Sequence, residues 1–131
     1  MKKILLLALI LFSFVASAQQ NEVGHYKEQS FTYDVSGGNK TFTTKNFIGF
    51  TGLSFQFVAT TLDQATATVQ IQKTNDGSNY LNIVGAVVTL PSGTSTNFIN
   101  ISGVKNEFYR AVITVNTVTS GTLDIDLTAT R

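Results

Sequence analysis

The sequence predicts an all-β domain, an antiparallel two-sheet sandwich of jelly-roll type with eight or nine short strands. Apolar and polar side chains alternate in many segments, which is typical of strands with one buried face. Turn-forming residues separate these segments at a spacing of roughly ten residues. Nowhere in residues 19–131 do apolar residues recur at the helical spacing of three and four.

The clearest element is a β-hairpin over residues 65–84. Residues 65–72 alternate strictly between small or apolar side chains and polar ones. The polar stretch 74–79 interrupts this alternation, and it contains Gly77, which can adopt the positive φ of a tight reversal. An apolar strand then resumes at residue 80.

The rest of the chain follows the same pattern. Phe42 is the only apolar side chain in residues 41–45, which predicts a polar strand or an edge, and Gly85 predicts a β-bulge. A turn is predicted where Pro91 ends the segment before it. Further strands are predicted near residues 31–35, 41–45, 53–60, 86–90, 98–101, 108–118 and 123–130.

Residues 1–18 have the organisation of a secretory signal peptide. A basic start is followed by an apolar run over residues 4–15 and by a small-residue cleavage site that ends at Ala18. We therefore expect a signal helix at 1–18, a flexible lead-in at 19–27 and a β-sandwich domain at 28–131. An uncleaved membrane-anchoring helix is the alternative, although the apolar run is shorter than the roughly twenty residues that a spanning helix needs.

Charge and cysteine content narrow the possible partners. Cleavage would remove Lys2 and Lys3, so the 8 acidic residues would slightly outnumber the remaining basic ones. A near-neutral surface argues against nucleic-acid binding and against binding to anionic membranes after the leader is removed. The sequence contains no Cys, which excludes a lipid anchor of the lipoprotein type. We expect an exported protein, located in the periplasm, outside the cell or at a surface.

The residue types needed for catalysis are sparse, so we expect a protein that is not an enzyme. Cys is absent, and His25 is the only His and lies in the polar lead-in. Asp124 and Asp126 share one strand face with Thr128, which predicts a solvated face and not a catalytic pair. Neither a metal site nor a cofactor is predicted.

The hairpin tip is the first candidate binding site. Asn75, Asp76, Ser78 and Asn79 supply polar groups there, but Asp76 is the only carboxylate, which is too little charge for a calcium loop. Tyr80 follows the tip directly and is the best-placed aromatic residue for stacking on a sugar ring. The alternative is that Tyr80 packs across the hairpin with its hydroxyl group at the surface.

Arg110 is the second candidate. It lies on the same strand face as Phe108 and Val112, where it is available to a ligand. The alternative is that its stem covers apolar surface while its guanidinium group pairs with a carboxylate such as Asp124 or Asp126.

Three stretches of the second half of the chain resemble small β-sandwich structural and adhesion proteins of tailed bacteriophages and prophage-like loci. These stretches are residues 69–80 (VQIQKTNDGSNY), 108–113 (FYRAVI) and 120–127 (SGTLDIDL). In that family an alternating strand runs into S-x-DGxxW/Y, and a YYR strand and a final strand after a Gly turn follow. Here Thr74 replaces the usual Ser, Tyr80 the usual Trp, and Phe108 the first Tyr of the pair. The similarity covers residues 65–131.

The resemblance implies a non-catalytic virion decoration, tail or adhesion module. The predicted leader departs from this pattern because phage particles assemble in the cytoplasm, so we expect a secreted or surface-associated protein, or a virion protein if the gene belongs to a phage. We predict that it binds or assembles through its strand edges and through loops at residues 75–79 and 91–97, with a second copy, a surface protein or a virion protein as partner. The alternative is a secreted carbohydrate-binding module with Tyr80 in its glycan site.

Overall fold

The alternating segments form eight strands in two sheets. The computed structural model describes residues 25–64, 67–105 and 107–131; the predicted signal helix and the lead-in up to residue 24 lie outside these ranges. The strands are β1 (His25–Asp34), β2 (Lys40–Asn46), β3 (Gly52–Leu62), β4 (Ala67–Thr74), β5 (Leu81–Leu90), β6 (Gly93–Ser102), β7 (Phe108–Val115) and β8 (Thr122–Thr130). A short 3-10 turn at Val35–Gly37 joins β1 to β2.

The strand order is that of a jelly roll. Sheet A has the order β1-β8-β3-β6, sheet B has the order β2-β7-β4-β5, and all neighbouring strands are antiparallel. Consecutive strands therefore alternate between the sheets along much of the chain, as in a double Greek key. The predicted all-β sandwich is confirmed.

The core lies between the two sheets, where the predicted alternation places it. Val69 and Ile71 of β4 and Ile125 and Leu127 of β8 belong to it, and all four side chains are at most 1% exposed. The polar residues that alternate with these four point outward and are half-buried. No helix among the described residues is long and apolar enough to cross a membrane.

Backbone pairing extends β1 beyond the segment that periodicity predicted. The lead-in was expected to end at residue 27, but β1 begins at His25, which pairs with Thr130 of β8. The ladder with β8 therefore includes residues 25–27, whose sequence shows no alternation. β2 lies at an edge of sheet B as predicted, and in it Thr44 is buried while Phe42 is half-buried.

The region after the hairpin contains one confirmed and one wrong prediction. β5 is a single strand with a bulge, because its register with β4 shifts between Gln70 and Gln72 and Gly85 has a φ of 78°. The predicted loop at residues 91–97 is wrong, since β6 begins at Gly93, while the contact role of these residues stays a prediction. Residues 93–97 pair with β3, and their Ser, Thr and Asn side chains suit an edge strand with little apolar burial.

Candidate functional site

The hairpin tip is organised around the carboxylate of Asp76. Its Oδ1 accepts hydrogen bonds from the Thr74 hydroxyl at 2.6 Å and from the backbone N–H groups of Ser78 and Asn79 at 2.8 Å each. Its Oδ2 accepts a hydrogen bond from the side-chain amide of Asn79 at 2.7 Å. These bonds, led by that of Thr74, hold the pKa of Asp76 well below its ordinary value. The carboxylate therefore shapes the loop and has its acceptor sites occupied within it.

A polar cluster lies at the base of the tip. Glu107 is buried and accepts hydrogen bonds from Lys73 Nζ at 2.9 Å and from the Tyr109 hydroxyl at 2.6 Å. Burial by itself would raise the pKa of Glu107, but these two hydrogen bonds and the charges of Lys73 and Lys105 outweigh it and lower the pKa. Burial and the adjacent Glu107 raise the pKa of Tyr109. The cluster fixes the ends of β4 and β7 to each other.

A shallow groove of about 300 Å³ lies between the Glu107 cluster and the hairpin tip. Its walls are formed by Lys73, Thr74, Asn75, Asp76, Asn79, Leu81 and Glu107. Leu81 is 73% exposed, so the groove has one open apolar wall.

Arg110 and Tyr80 lie together on the outer face of sheet B. The guanidinium carbon of Arg110 is 3.9 Å from the centre of the Tyr80 ring, and Arg110 Nε donates to Gln72 Oε1 at 2.6 Å. The alternative prediction, in which Arg110 pairs with a carboxylate such as Asp124 or Asp126, is therefore wrong. Asp124 and Asp126 belong to sheet A and accept hydrogen bonds from β1 hydroxyl groups, as the prediction of a solvated strand face implies.

Arg110 is part of a row of polar side chains that crosses sheet B. Gln72 pairs in register with Asn82 on β5 and with Arg110 on β7, and Arg110 pairs with Thr43 on β2. Gln72 Nε2 donates to Asn82 Oδ1 at 2.7 Å, which continues the hydrogen-bond chain. We call Asn82, Gln72, Arg110 and Thr43 the outer-face row; it has one residue from each of the four strands.

The structure thus divides the predicted site residues into two groups. Asn75, Asp76 and Asn79 line the tip groove, and Ser78 contributes a backbone N–H to the same loop. Tyr80 and Arg110 form a separate pair on the outer face. Gln72, Asn82 and Glu107 were not predicted, because their importance depends on which strands are neighbours and the sequence pattern does not give the strand order.

A second notable surface is the side of the sandwich formed by edge strands β5 and β6, which we call the β5–β6 side. A groove of about 430 Å³ runs between residues 83–88 and residues 98–102. Val84, Val87 and Phe98 are 99%, 53% and 58% exposed there. Residues 81–103 contain no Asp, Glu, Lys, Arg or His. This absence of charge is visible in the sequence and is the signal that could have indicated this surface.

Solved structures share the shape of the chain, whereas no protein-family model and no curated protein matches its sequence. PirA superposes with a TM-score of 0.53 at 13% identity, over 79% of this chain and 97% of that one. TmCBM61 in complex with β-1,4-galactotriose gives 0.45 at 10% identity, over 80% of this chain and 66% of that one. The enzymatically active domain of bacteriophage CBA120 tailspike protein 4 gives 0.44 at 15% identity, over 71% and 14%.

At these identities the likenesses concern the fold alone. The chain spans just under two thirds of TmCBM61 and a small part of the tailspike domain. The phage origin suggested by the sequence resemblance stays a prediction.

Proposed function

We propose that the protein is a non-catalytic binding module that assembles with a second copy of itself through the β5–β6 side. The observation that carries this proposal is the lack of any charged residue in two neighbouring edge strands whose apolar side chains are exposed. We further propose that it acts outside the cytoplasm, in keeping with the predicted leader.

Edge strands usually carry features that prevent pairing with other chains. Charged side chains, prolines and bulges are the common ones, since an open edge presents unpaired backbone N–H and C=O groups. β5 has its bulge at residues 83–86, whereas β6 has neither charge nor proline over its whole length. On the opposite side of the sandwich, β1 contains Asp34 and β2 contains Lys40 and Lys45. β6 is therefore the least protected edge of the described residues.

A second copy is the occupant that fits this surface best. A two-fold contact sets the same surface of both copies against each other, so an edge with charges of one sign would repel itself and an uncharged edge does not. Pairing of two β6 strands would join two copies of sheet A into one continuous sheet. The same contact would cover Phe98 and the neighbouring apolar side chains of the β5–β6 side.

The test is the oligomeric state of the secreted chain, measured by sedimentation over a wide concentration range. We expect the wild-type protein to self-associate and Phe98→Lys to weaken association by about tenfold or more, because it places like charges at the contact. Asn100→Lys, which changes an exposed position of the same strand, should act in the same direction.

Thr41→Lys is the matched control, because it adds the same charge to an exposed position on the opposite edge. Its association should equal that of the wild type. A wild-type protein that stays monomeric at about 1 mM would overturn the proposal, and so would an equal effect of Thr41→Lys and Phe98→Lys.

A further inference from the structure

The guanidinium group of Arg110 is held in one orientation by two contacts. Tyr80 covers one face of the guanidinium plane, and Gln72 accepts the Nε hydrogen atom at one edge. Stacking uses the face of the group and leaves its in-plane N–H donors available. The terminal nitrogens of Arg110 are thus positioned without being used by these contacts.

Among the described residues, the structure gives Arg110 no carboxylate partner. The carboxylate of Glu107 pairs with Lys73 at the end of the sandwich. An oriented guanidinium group with two terminal nitrogens matches the geometry of a carboxylate, which it binds through two parallel hydrogen bonds. The side chain therefore has the form of an anion receptor.

The neighbours of Arg110 in the outer-face row are polar and uncharged. Asn82 accepts from Gln72 through Oδ1, a bond that does not use its amide N–H groups, and both Asn82 and Thr43 are exposed. Amide and hydroxyl groups on a rigid sheet are suited to sugar hydroxyl groups, which both donate and accept. The hydrogen-bond chain from Asn82 to Arg110 fixes the row before any ligand arrives, so little side-chain entropy is lost on binding.

We propose that the outer-face row binds a carboxylated sugar, with Arg110 holding the carboxylate and Asn82 and Thr43 contacting ring hydroxyl groups. Tyr80 and Gln72 are positioning residues that orient Arg110. This site lies on the outer face of sheet B, whereas the self-association proposed above uses the β5–β6 side. A negative result for sugar binding therefore leaves the proposed self-association untouched, and the reverse also holds.

The test uses trigalacturonate and its methyl ester as probes, because the two differ in the carboxylate groups. Backbone amide NMR shifts of the full chain are followed during titration. We expect saturable shifts on β4, β5 and β7 around the outer-face row with trigalacturonate, and binding at least about tenfold weaker with the methyl ester. Added salt should weaken trigalacturonate binding because an ion pair is involved.

Three variants identify the residue responsible. Arg110→Gln should weaken trigalacturonate binding by about tenfold or more, and Arg110→Lys should recover only part of it, because Lys keeps the charge but not the paired donors. Lys40→Gln is the control: it removes one positive charge from the exposed start of β2 and should leave the affinity unchanged.

Two results with the sugar probes would overturn the proposal: equal affinity for trigalacturonate and its methyl ester, or amide shifts confined to other surfaces. A loss of affinity in Lys40→Gln as large as in Arg110→Gln would also overturn it. So would tighter binding of an acidic peptide such as tri-glutamate than of trigalacturonate. Dispersed amide spectra of each variant establish that it is folded.

Discussion

Arg110 on an interior strand of sheet B stacks on Tyr80 at the end of the hairpin tip, with 3.9 Å between the guanidinium carbon and the ring centre. This contact joins a loop residue to an interior strand of the sheet. It also places Tyr80 and Arg110, the aromatic and the basic binding candidate that the sequence indicated, on one surface, although they lie thirty positions apart in the sequence.

The stacking of Arg110 on Tyr80 is expected to stabilise the fold. In a double-mutant cycle with Tyr80→Leu and Arg110→Met, the coupling free energy should be about 0.5–1 kcal/mol, as for other partly exposed cation–π pairs. Urea unfolding of the four proteins measures it. Additive effects of the two substitutions would show that the contact contributes nothing to stability.

Asp76 is expected to make the stability of the protein depend on acid pH. Its pKa in the folded protein lies below the ordinary value of 3.8, so its contribution is present above that value and is lost as the pH falls through the folded pKa. The thermal unfolding midpoint of the wild type should therefore fall more between about pH 5.5 and pH 3 than that of Asp76→Asn.

Asn75→Ala serves as the control for this measurement because it alters an exposed tip residue and leaves the carboxylate in place. It should keep the wild-type pH response. An identical response in Asp76→Asn would show that the hydrogen bonds to Asp76 do not stabilise the loop.

Periodicity predicted the core and the tip, but not the partners across the sheets. Val69, Ile71, Ile125 and Leu127 are buried inside, as the alternation in residues 65–72 and 123–130 predicts, because alternation alone decides which face of a strand is apolar. The prediction that Arg110 pairs with Asp124 or Asp126 was wrong. The partner of Arg110 depends on the strand order, in which β7 lies beside β4 while β8 lies in the other sheet. That order comes from long-range pairing, which no local pattern encodes.

The start of β6 was missed for a related reason. Residues 93–97 are rich in Gly, Ser, Thr and Asn, a composition that usually indicates a loop. They form a strand because the backbone of β3 pairs with them, with one register shift between Ala59 and Leu62. The uncharged stretch over residues 81–103 likewise indicates a contact surface only once the strand order is known, because that order makes β5 and β6 edge strands on the same side of the sandwich.

Gln70 is expected to hold the bulge of β5 in place. Its Nε2 donates to the carbonyl oxygens of Ile83 at 3.1 Å and Ala86 at 3.0 Å, so it satisfies backbone groups that the bulge removes from the ladder. Gln70→Glu has no such donor and sets a carboxylate against both oxygens. We expect a loss of about 1–3 kcal/mol in the free energy of unfolding.

Hydrogen exchange at residues 83–86 provides a second measurement, since the bulge should open more readily in Gln70→Glu. Gln64→Glu makes the same chemical change at an exposed loop position and should alter neither quantity. Unchanged exchange in Gln70→Glu would show that the bulge is held by the β5 backbone alone.

Gly121 and Gly103 allow the effect of backbone conformation to be separated from that of close packing. Both have positive φ, 120° and 69°. A Cβ at Gly121 would lie 2.8 Å from Leu62 Cδ2 and 2.9 Å from the Thr60 carbonyl oxygen, whereas a Cβ at Gly103 has nothing within 4 Å. Gly103→Ala should therefore cost about 1 kcal/mol from backbone strain, and Gly121→Ala about 3 kcal/mol or more, because the β7–β8 turn must also move away from β3. Urea unfolding of both variants measures this difference. Equal decreases in the free energy of unfolding would show that the turn at Gly121 moves without loss of stability and that only the positive φ determines the effect.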